Sequence, residues 1–171
     1  PSMLTQTSPG EIFICRNAGN IVPAFGEAVG GVSATIEYAV LVLGVKDIIL
    51  CGHSDCGAMR ALLNPQSVAH LPAVSAWLRY GESARFVVQE NHSHLEGNDL
   101  INAMIEQNVL AQLDNLRTHP SVAARMAKGQ LQLHGWTYAI GTGEVKTFDP
   151  ARTEFVPLLA RTPAAAAAAI E

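Results

Sequence analysis

The chain has few charged residues, few cysteines and no long apolar runs, and each of these features excludes or disfavours a class of protein. Only 15% of its 171 residues are charged, and 11 basic against 15 acidic residues give a net charge of −4. This balance argues against nucleic-acid binding, which needs a basic face. Three cysteines, an odd number, provide no disulfide framework and favour a reducing compartment. No run is long and apolar enough to span a membrane.

What the chain does contain is enough apolar material for a core. Hydrophobic residues make up 49% of the sequence, and 171 residues predict one domain. The low charge further suggests that another subunit covers part of the apolar surface. We expect a domain over residues 1–158, followed by an Ala-rich tail, 159–171, that forms a frayed helix or is disordered.

Strand-like segments alternate with helical ones. Strands are predicted at 11–16, 47–51, 130–140 and 145–149, and helices at 30–43, 57–63, 72–80, 98–116 and 121–128. The first strand is expected to be buried, and Gly44 to end the first helix. This order predicts an α/β fold with a mostly parallel sheet. Ligands of such sheets bind at the carboxyl ends of strands, so residues 17–20 and His53 are expected to border one crevice.

A C-x-H-x-x-C pattern follows the second predicted strand. It consists of Cys51, His53 and Cys56, of which His53 and Cys56 have the ligand types and spacing suited to zinc. Gly52 and Gly57 are expected to let the chain turn sharply. Cys56 is expected at a helix N-terminus, which lowers a thiol pKa. The pattern alone leaves a second interpretation equally open, in which the cysteines and the histidine belong to the core.

Four blocks of sequence carry a more specific pattern. They are residues 9–23, 30–40, 49–59 and 133–138. In this order they resemble the β-class carbonic anhydrases, most closely the bacterial and plant-like branch, and the third block matches that family's His-x-x-Cys zinc motif. The resemblance runs from about Pro1 to about Leu158.

The resemblance implies a fold, an activity and a set of site residues. The implied reaction is the zinc-dependent, reversible hydration of carbon dioxide to bicarbonate, carried out by a homodimer or larger homo-oligomer in the cytoplasm or in a carboxysome. The implied zinc ligands are His53 and Cys56. The implied substrate-pocket residues, some reaching across a dimer interface, are Phe13, Ala18, Tyr38 and Gly57.

One motif of the family is not in this sequence. The family carries a Cys-x-Asp-x-Arg segment, which supplies a further zinc thiolate and a catalytic Asp–Arg pair, a few residues before the position of Pro1. We therefore assign no catalytic residue within the chain and expect a longer parent protein. Two alternatives remain: a non-catalytic assembly subunit of the same fold, and a carbonyl sulfide or carbon disulfide hydrolase on the same scaffold.

The neighbours of the motif have more ordinary interpretations. Asp55 is predicted to face solvent or to cap the following helix, and Arg16 to pair with a carboxylate at an interface. Cys51 is a weaker candidate for a third ligand, because it shares a strand face with His53. Cys15 is predicted to lie in the core.

Four further histidines have ordinary interpretations. His92 and His94 lie beside Glu96 in a polar stretch that favours a surface turn over a second metal site. For His119 and His134 we likewise expect no role in chemistry.

Overall fold

A computed structural model describes residues 1–28 and 30–158 of the chain. The strands are β1 (Asp47–His53), β2 (Gln132–Tyr138), β3 (Val145–Asp149) and β4 (Glu154–Pro157). The α-helices are α1 (Ser2–Thr5), α2 (Gly31–Leu41), α3 (Gly57–Leu63), α4 (Pro72–Leu78), α5 (Glu82–Asn91), α6 (Gly97–Thr118) and α7 (Pro120–Ala127). Short 3₁₀ turns lie at Ala18–Asn20, Pro65–Val68 and Arg79–Gly81. Among the residues described, no helix has the length and hydropathy needed to cross a membrane.

The four strands form one sheet in the order β1-β2-β3-β4. β1 and β2 are parallel, with Leu50 opposite Gly135, whereas β2–β3 and β3–β4 are antiparallel. The predicted α/β class is confirmed, but the sheet is mixed rather than mostly parallel. The physical reason is the short connection through residues 141–143, because a tight turn joins only antiparallel strands.

Helix α6 packs closely across β1 and β2. A Cβ atom added to Gly52 would lie 2.8 Å from Ile105 Cγ2, and one added to Gly135 would lie 2.9 Å from Val109 Cγ1. Both glycines therefore allow the helix to approach the sheet. The expectation that Gly52 makes a turn is wrong, since it lies inside β1.

Two groups of buried side chains form the core, and α6 contributes to both. The first joins α3, α5 and α6 and includes Met59, Leu62, Ala84, Val88 and Met104. The second joins α2, β1, α6 and α7 and includes Val40, Leu50, Val109, Leu116 and Val122. The start of α3 is thus fixed to the same helix as the end of β1.

Most predicted elements are confirmed, with small shifts at their ends. The helix predicted at 57–63 is found unchanged, and those at 30–43, 98–116 and 121–128 are found within two residues. Gly44 has φ +65°, in the left-handed region, just after α2 ends. Helices α1 and α5 and strand β4 were not predicted. The Ala-rich tail lies outside the described residues.

The predicted first strand, residues 11–16, is wrong. No strand pairs with it among the described residues, and Phe13 and Ile14 are 51% and 44% exposed. A strand is completed by hydrogen bonds from a neighbour, which an apolar run of sequence does not supply. Cys15, predicted to lie in the core, is exposed for the same reason.

Candidate metal and substrate site

The candidate metal motif, His53 to Cys56, spans the end of β1 and the start of α3. His53 is the last residue of β1, and Cys56 is the N-cap of α3. Cys56 is 4% exposed, whereas His53 is exposed. The predicted location of Cys56 at a helix N-terminus is confirmed.

One ring nitrogen of His53 is already engaged. Nδ1 lies 2.8 Å from the carbonyl oxygen of Ser54. A carbonyl oxygen only accepts hydrogen bonds, so this contact requires Nδ1 to carry the proton. The lone pair of Nε2 is then available for a metal, in the arrangement usual for metal-binding histidines.

The turn between the two candidate ligands is tied to the end of β2. The Ser54 N–H donates to the Tyr138 carbonyl at 2.9 Å, and Ser54 Oγ accepts from the Ile140 N–H at 2.9 Å. Asp55 has φ +57° and pairs with Arg60 at 2.8 Å. Its side chain is 73% exposed, which confirms that it faces solvent.

Cys51 does not complete a ligand set with His53 and Cys56. No group of three or more His, Cys, Asp or Glu side chains that could hold a metal occurs in residues 1–28 and 30–158. Burial raises the pKa of the Cys51 thiol, which disfavours the thiolate that binds metal. Two donors therefore fit zinc in type, and the described part of the chain provides no third.

The four other histidines singled out in the sequence have different surroundings. The ring centroids of His92 and His94 are 6.3 Å apart in a turn, where His94 is exposed. His119 is 2% exposed and its Nε2 lies 3.0 Å from the Pro23 carbonyl oxygen. His134 lies 2.8 Å from an Asp47 oxygen at the other end of β1. His119 and His134 therefore contact other parts of the fold, and the absence of a role in chemistry stays a prediction for all four.

Two of the four predicted pocket residues lie beside the start of α3. Gly57 is its first residue, and a Cβ atom added there would meet nothing within 4 Å. Ala18 precedes Gly19, which has φ +78° and whose added Cβ atom would lie 3.0 Å from Ala58 Cβ. The loop of Ala18 therefore packs on the first turn of α3, next to open space at Gly57.

The other two predicted pocket residues contact each other. The ring centroids of Phe13 and Tyr38 are 6.3 Å apart, and the side chains are 51% and 49% exposed. They form an aromatic pair on the surface. Arg16 is exposed too and has no ion-pair partner among the described residues, so its predicted carboxylate does not come from this part of the chain.

Sequence reasoning missed the side chains that hold the loop of Ala18. Trp77 Nε1 donates to the Ala18 carbonyl at 2.8 Å, and Asn108 Nδ2 donates to the Gly19 carbonyl at 2.9 Å. These contacts span 59 and 89 residues, so no local pattern could have revealed them. The polar Asn108 on the apolar face of a predicted helix was the one available signal.

The protein has an α/β fold that carries a buried thiol at a helix N-cap and an imidazole at the end of the preceding strand. These are two side chains of the types that bind zinc. The chain belongs to the β-class carbonic anhydrase family, whose model, described as carbonic anhydrase, matches residues 1–145. The family recognised from the four sequence blocks is thereby confirmed, and with it the enzyme class.

Several relatives share most of this chain. It is 54% identical to carbonic anhydrase 1 of Escherichia coli O157:H7 over 85% of the chain and 66% of the relative. The carbonic anhydrase of Pseudomonas aeruginosa is 51% identical, with 92% of the chain and 71% of the relative covered. For that of Synechocystis sp. the identity is 47%, over 91% of the chain and 57% of the relative. The chain thus spans between 57% and 71% of the length of these curated relatives.

Solved structures share the fold. The β-carbonic anhydrase CcaA superimposes with a TM-score of 0.90 at 47% identity, over 92% of this chain and 77% of that one. A structure described as a tetrameric β-carbonic anhydrase from Sordaria macrospora has a TM-score of 0.77 at 29% identity, over 85% and 72% of the two chains.

Proposed function

We propose that the protein catalyses the zinc-dependent, reversible hydration of carbon dioxide to bicarbonate. The observation that carries this proposal is the half-site of His53 and Cys56, in which Nδ1 of His53 is engaged and Nε2 is free. The names of the relatives, all carbonic anhydrases, support it.

In this proposal His53 and Cys56 hold the metal, and the Ser54 carbonyl fixes the ring of His53 for it. When bound, zinc acts as a Lewis acid that makes water a nucleophile at neutral pH. The hydrogen bonds of Ser54 to the end of β2 keep the turn between the ligands from moving. The two proposed ligands therefore flank a turn whose residue Ser54 is bonded to the end of β2.

The outer edge of β1 is the place where we expect a third ligand to be added. In the described residues the outer edge of β1 has no strand partner. A strand paired in parallel there would end beside His53, because the carboxyl ends of parallel strands meet at one edge of a sheet. We propose that the Cys-x-Asp-x-Arg segment implied by the family resemblance follows such a strand, and brings the remaining thiolate and the Asp–Arg pair.

The substrate is small and uncharged, and the proposed pocket matches it. Ala18 and Gly57 bear little or no side chain, and the space at Gly57 is open. We propose that Phe13 and Tyr38 provide apolar walls, in part for the neighbouring subunit. Their exposure of about half in this chain is consistent with surface that a second copy covers.

Assembly is part of the proposal. Exposed apolar side chains cluster at α2 and at the segment packed beside it, namely Phe13, Ile14, Tyr38, Leu41, Val42 and Leu43. We propose that this surface forms a homodimer interface, as the tetrameric relative from Sordaria macrospora makes plausible. The cytoplasmic or carboxysomal location stays a prediction.

Substitution of His53 by alanine tests the metal assignment. In the protein at its full natural length, His53→Ala should abolish both zinc retention and carbon dioxide hydration, measured by metal analysis and stopped flow. The matched control is His134→Ala, which removes only a partly exposed contact with Asp47 and should keep both.

The same experiment separates the alternatives. Stoichiometric zinc in His53→Ala would show that His53 is not a ligand. Zinc in the unaltered protein without hydration of carbon dioxide would contradict the proposed reaction. Turnover of carbonyl sulfide or carbon disulfide in that case would indicate the hydrolase, and its absence the assembly subunit.

A further inference from the structure

The loop formed by residues 17–22 is held mainly by side chains. Within the loop, Asn17 Nδ2 donates to the Ile21 carbonyl at 2.9 Å, and its Oδ1 accepts from the Ile21 N–H at 2.8 Å. Buried backbone outside helices and sheets still needs hydrogen-bond partners. The other groups of this loop find theirs on distant elements.

One set of partners comes from a single face of α6. Asn108 Nδ2 donates to the Gly19 carbonyl at 2.9 Å, and Gln112 Oε1 accepts from the Val22 N–H at 2.8 Å. Asn115 Nδ2 donates to the Val22 carbonyl at 2.8 Å. The three amides are four and three residues apart, the spacing that places side chains on one face of a helix.

The amides also bind one another, which fixes their orientation. Gln112 Nε2 donates to Asn108 Oδ1, and Asn115 Nδ2 donates to Gln112 Oε1, each at 3.1 Å. Asn108 and Gln112 are fully buried, so an unpaired amide there would be costly. Rotating either amide group by 180° would place its NH₂ group opposite another hydrogen-bond donor. The arrangement is therefore a rigid ladder.

A second anchor lies on the other side of the loop. Trp77 Nε1 donates to the Ala18 carbonyl at 2.8 Å. Its ring packs edge-on against Tyr80 with centroids 5.7 Å apart, and the Tyr80 carbonyl accepts from Gln112 Nε2 at 3.3 Å. The loop is thus held by Trp77 at Ala18 and by the α6 amides at Gly19 and Val22. The two sets of contacts are linked through Tyr80.

The loop packs tightly against α3 at Gly19. An added Cβ atom at Gly19 would lie 3.0 Å from Ala58 Cβ and 3.2 Å from Met59 Cε. Both belong to α3, whose N-cap is Cys56. Because packed interiors transmit displacement, a change in either anchor alters the gap between Ala18 and α3.

We propose that Trp77 and Asn108 are positioning residues that set the substrate-pocket wall at Ala18. This inference rests on the proposed function. Neither side chain supplies a metal ligand, so the loss of one should weaken substrate binding and leave the metal in place. A contact shared by bound substrate and transition state raises KM when it is lost, and leaves kcat unchanged.

The test is Trp77→Phe in the protein at its full natural length. Phenylalanine keeps an aromatic ring against Tyr80 but removes the indole N–H that holds Ala18, together with part of the indole ring. Because this bond holds Ala18 and not the substrate, its free energy is the upper limit of the effect, and we expect a KM for carbon dioxide raised by up to about tenfold, with kcat and zinc content unchanged. Asn108→Ala should raise KM in the same way, and Trp77→Phe decides the matter if that variant does not fold.

The matched control is Thr118→Val. Thr118 Oγ1 accepts from the Phe25 N–H at 2.8 Å and donates to the Asn115 carbonyl at 2.6 Å. This change therefore removes one bond from α6 to residue 25, outside the loop of residues 17–22, and one bond within α6. It should lower the melting temperature as Trp77→Phe does and leave KM unchanged. An unchanged KM in Trp77→Phe, or an equal rise in Thr118→Val, would overturn the inference. Zinc-loaded unaltered protein that does not hydrate carbon dioxide would instead overturn the proposed function.

Discussion

Gly52 and Gly57, the two glycines in and beside the candidate metal motif, have different structural roles, although the sequence pattern predicted a turn at both. Gly52 lies inside β1 against α6, where an added Cβ atom would lie 2.8 Å from Ile105 Cγ2 and 3.1 Å from Val109 Cγ2. Gly57 begins α3 beside open space. One glycine serves the packing of the core, and the other leaves space where the substrate is proposed to bind.

Gly52→Ala should therefore destabilise the fold. The added methyl forces α6 away from β1, and overpacking of this kind costs about 1–3 kcal/mol. Urea unfolding at neutral pH measures the change. Gly57→Ala is the control: at a helical position beside open space it should leave the free energy of unfolding unchanged or raise it by up to about 1 kcal/mol. Equal losses in the two variants would show that the close approach at Gly52 is not what distinguishes them.

At the scale of elements, α6 organises the molecule. It contributes to both groups of core residues, covers β1 and β2, and carries the amide ladder. Its Glu106 is a partly buried acid, and burial raises the pKa of this carboxyl, against the opposing effects of Lys146 and His92. A raised carboxyl pKa means that the folded state binds the proton more tightly than the unfolded state.

Glu106→Gln should stabilise the protein at pH 7 but not at pH 4. Since the native pKa lies above the unfolded one, stability falls as pH rises through the interval between them, and the charged form keeps this penalty at higher pH. Below both pKa values the carboxyl is protonated in both states, and the penalty vanishes. Urea unfolding at the two pH values checks the sign. A loss of stability at pH 7 would mean that the charge attraction of Lys146 and His92 outweighs burial.

Two elements show what propensity alone misses. In α5, the buried Ala84 and Val88 lie four residues apart, a weak helical signal that could have been read. Strand β4 has four residues, and its Phe155 pairs with Phe148 across the antiparallel ladder. A strand this short is stabilised by its cross-strand neighbour, so its own sequence carries little information.

At the scale of the whole molecule, large apolar side chains are exposed at α2 and directly after it. Tyr38, which contacts Phe13, is 49% exposed, and Leu41, Val42 and Leu43 are 48%, 65% and 48% exposed. Exposed apolar side chains gathered at one place favour an interface. The proposed dimer would cover them.

Leu41→Asp should dissociate the dimer while each subunit stays folded. The charge would be buried at the interface without a partner, whereas in the separate chain Leu41 is already 48% exposed. Light scattering gives the mass, and circular dichroism reports the fold. Phe86→Asp, an equally drastic change at a 64% exposed position on α5, should keep the dimer. A stable, active monomer of the unaltered protein would refute the interface altogether.

The sequence by itself determined the fold class, most helices, the metal motif and the family. These features are written in local patterns: helical periodicity, glycine at a helix end, and the His-x-x-Cys spacing. Tertiary structure alone decided three others. Residues 11–16 have no strand partner in the part of the chain that the structure describes, Gly52 packs against a helix more than 50 residues away, and Trp77 and Asn108 hold the carbonyls of Ala18 and Gly19. Each depends on atoms distant in the chain, because pairing, close packing and buried hydrogen bonds are completed only by a neighbour in space.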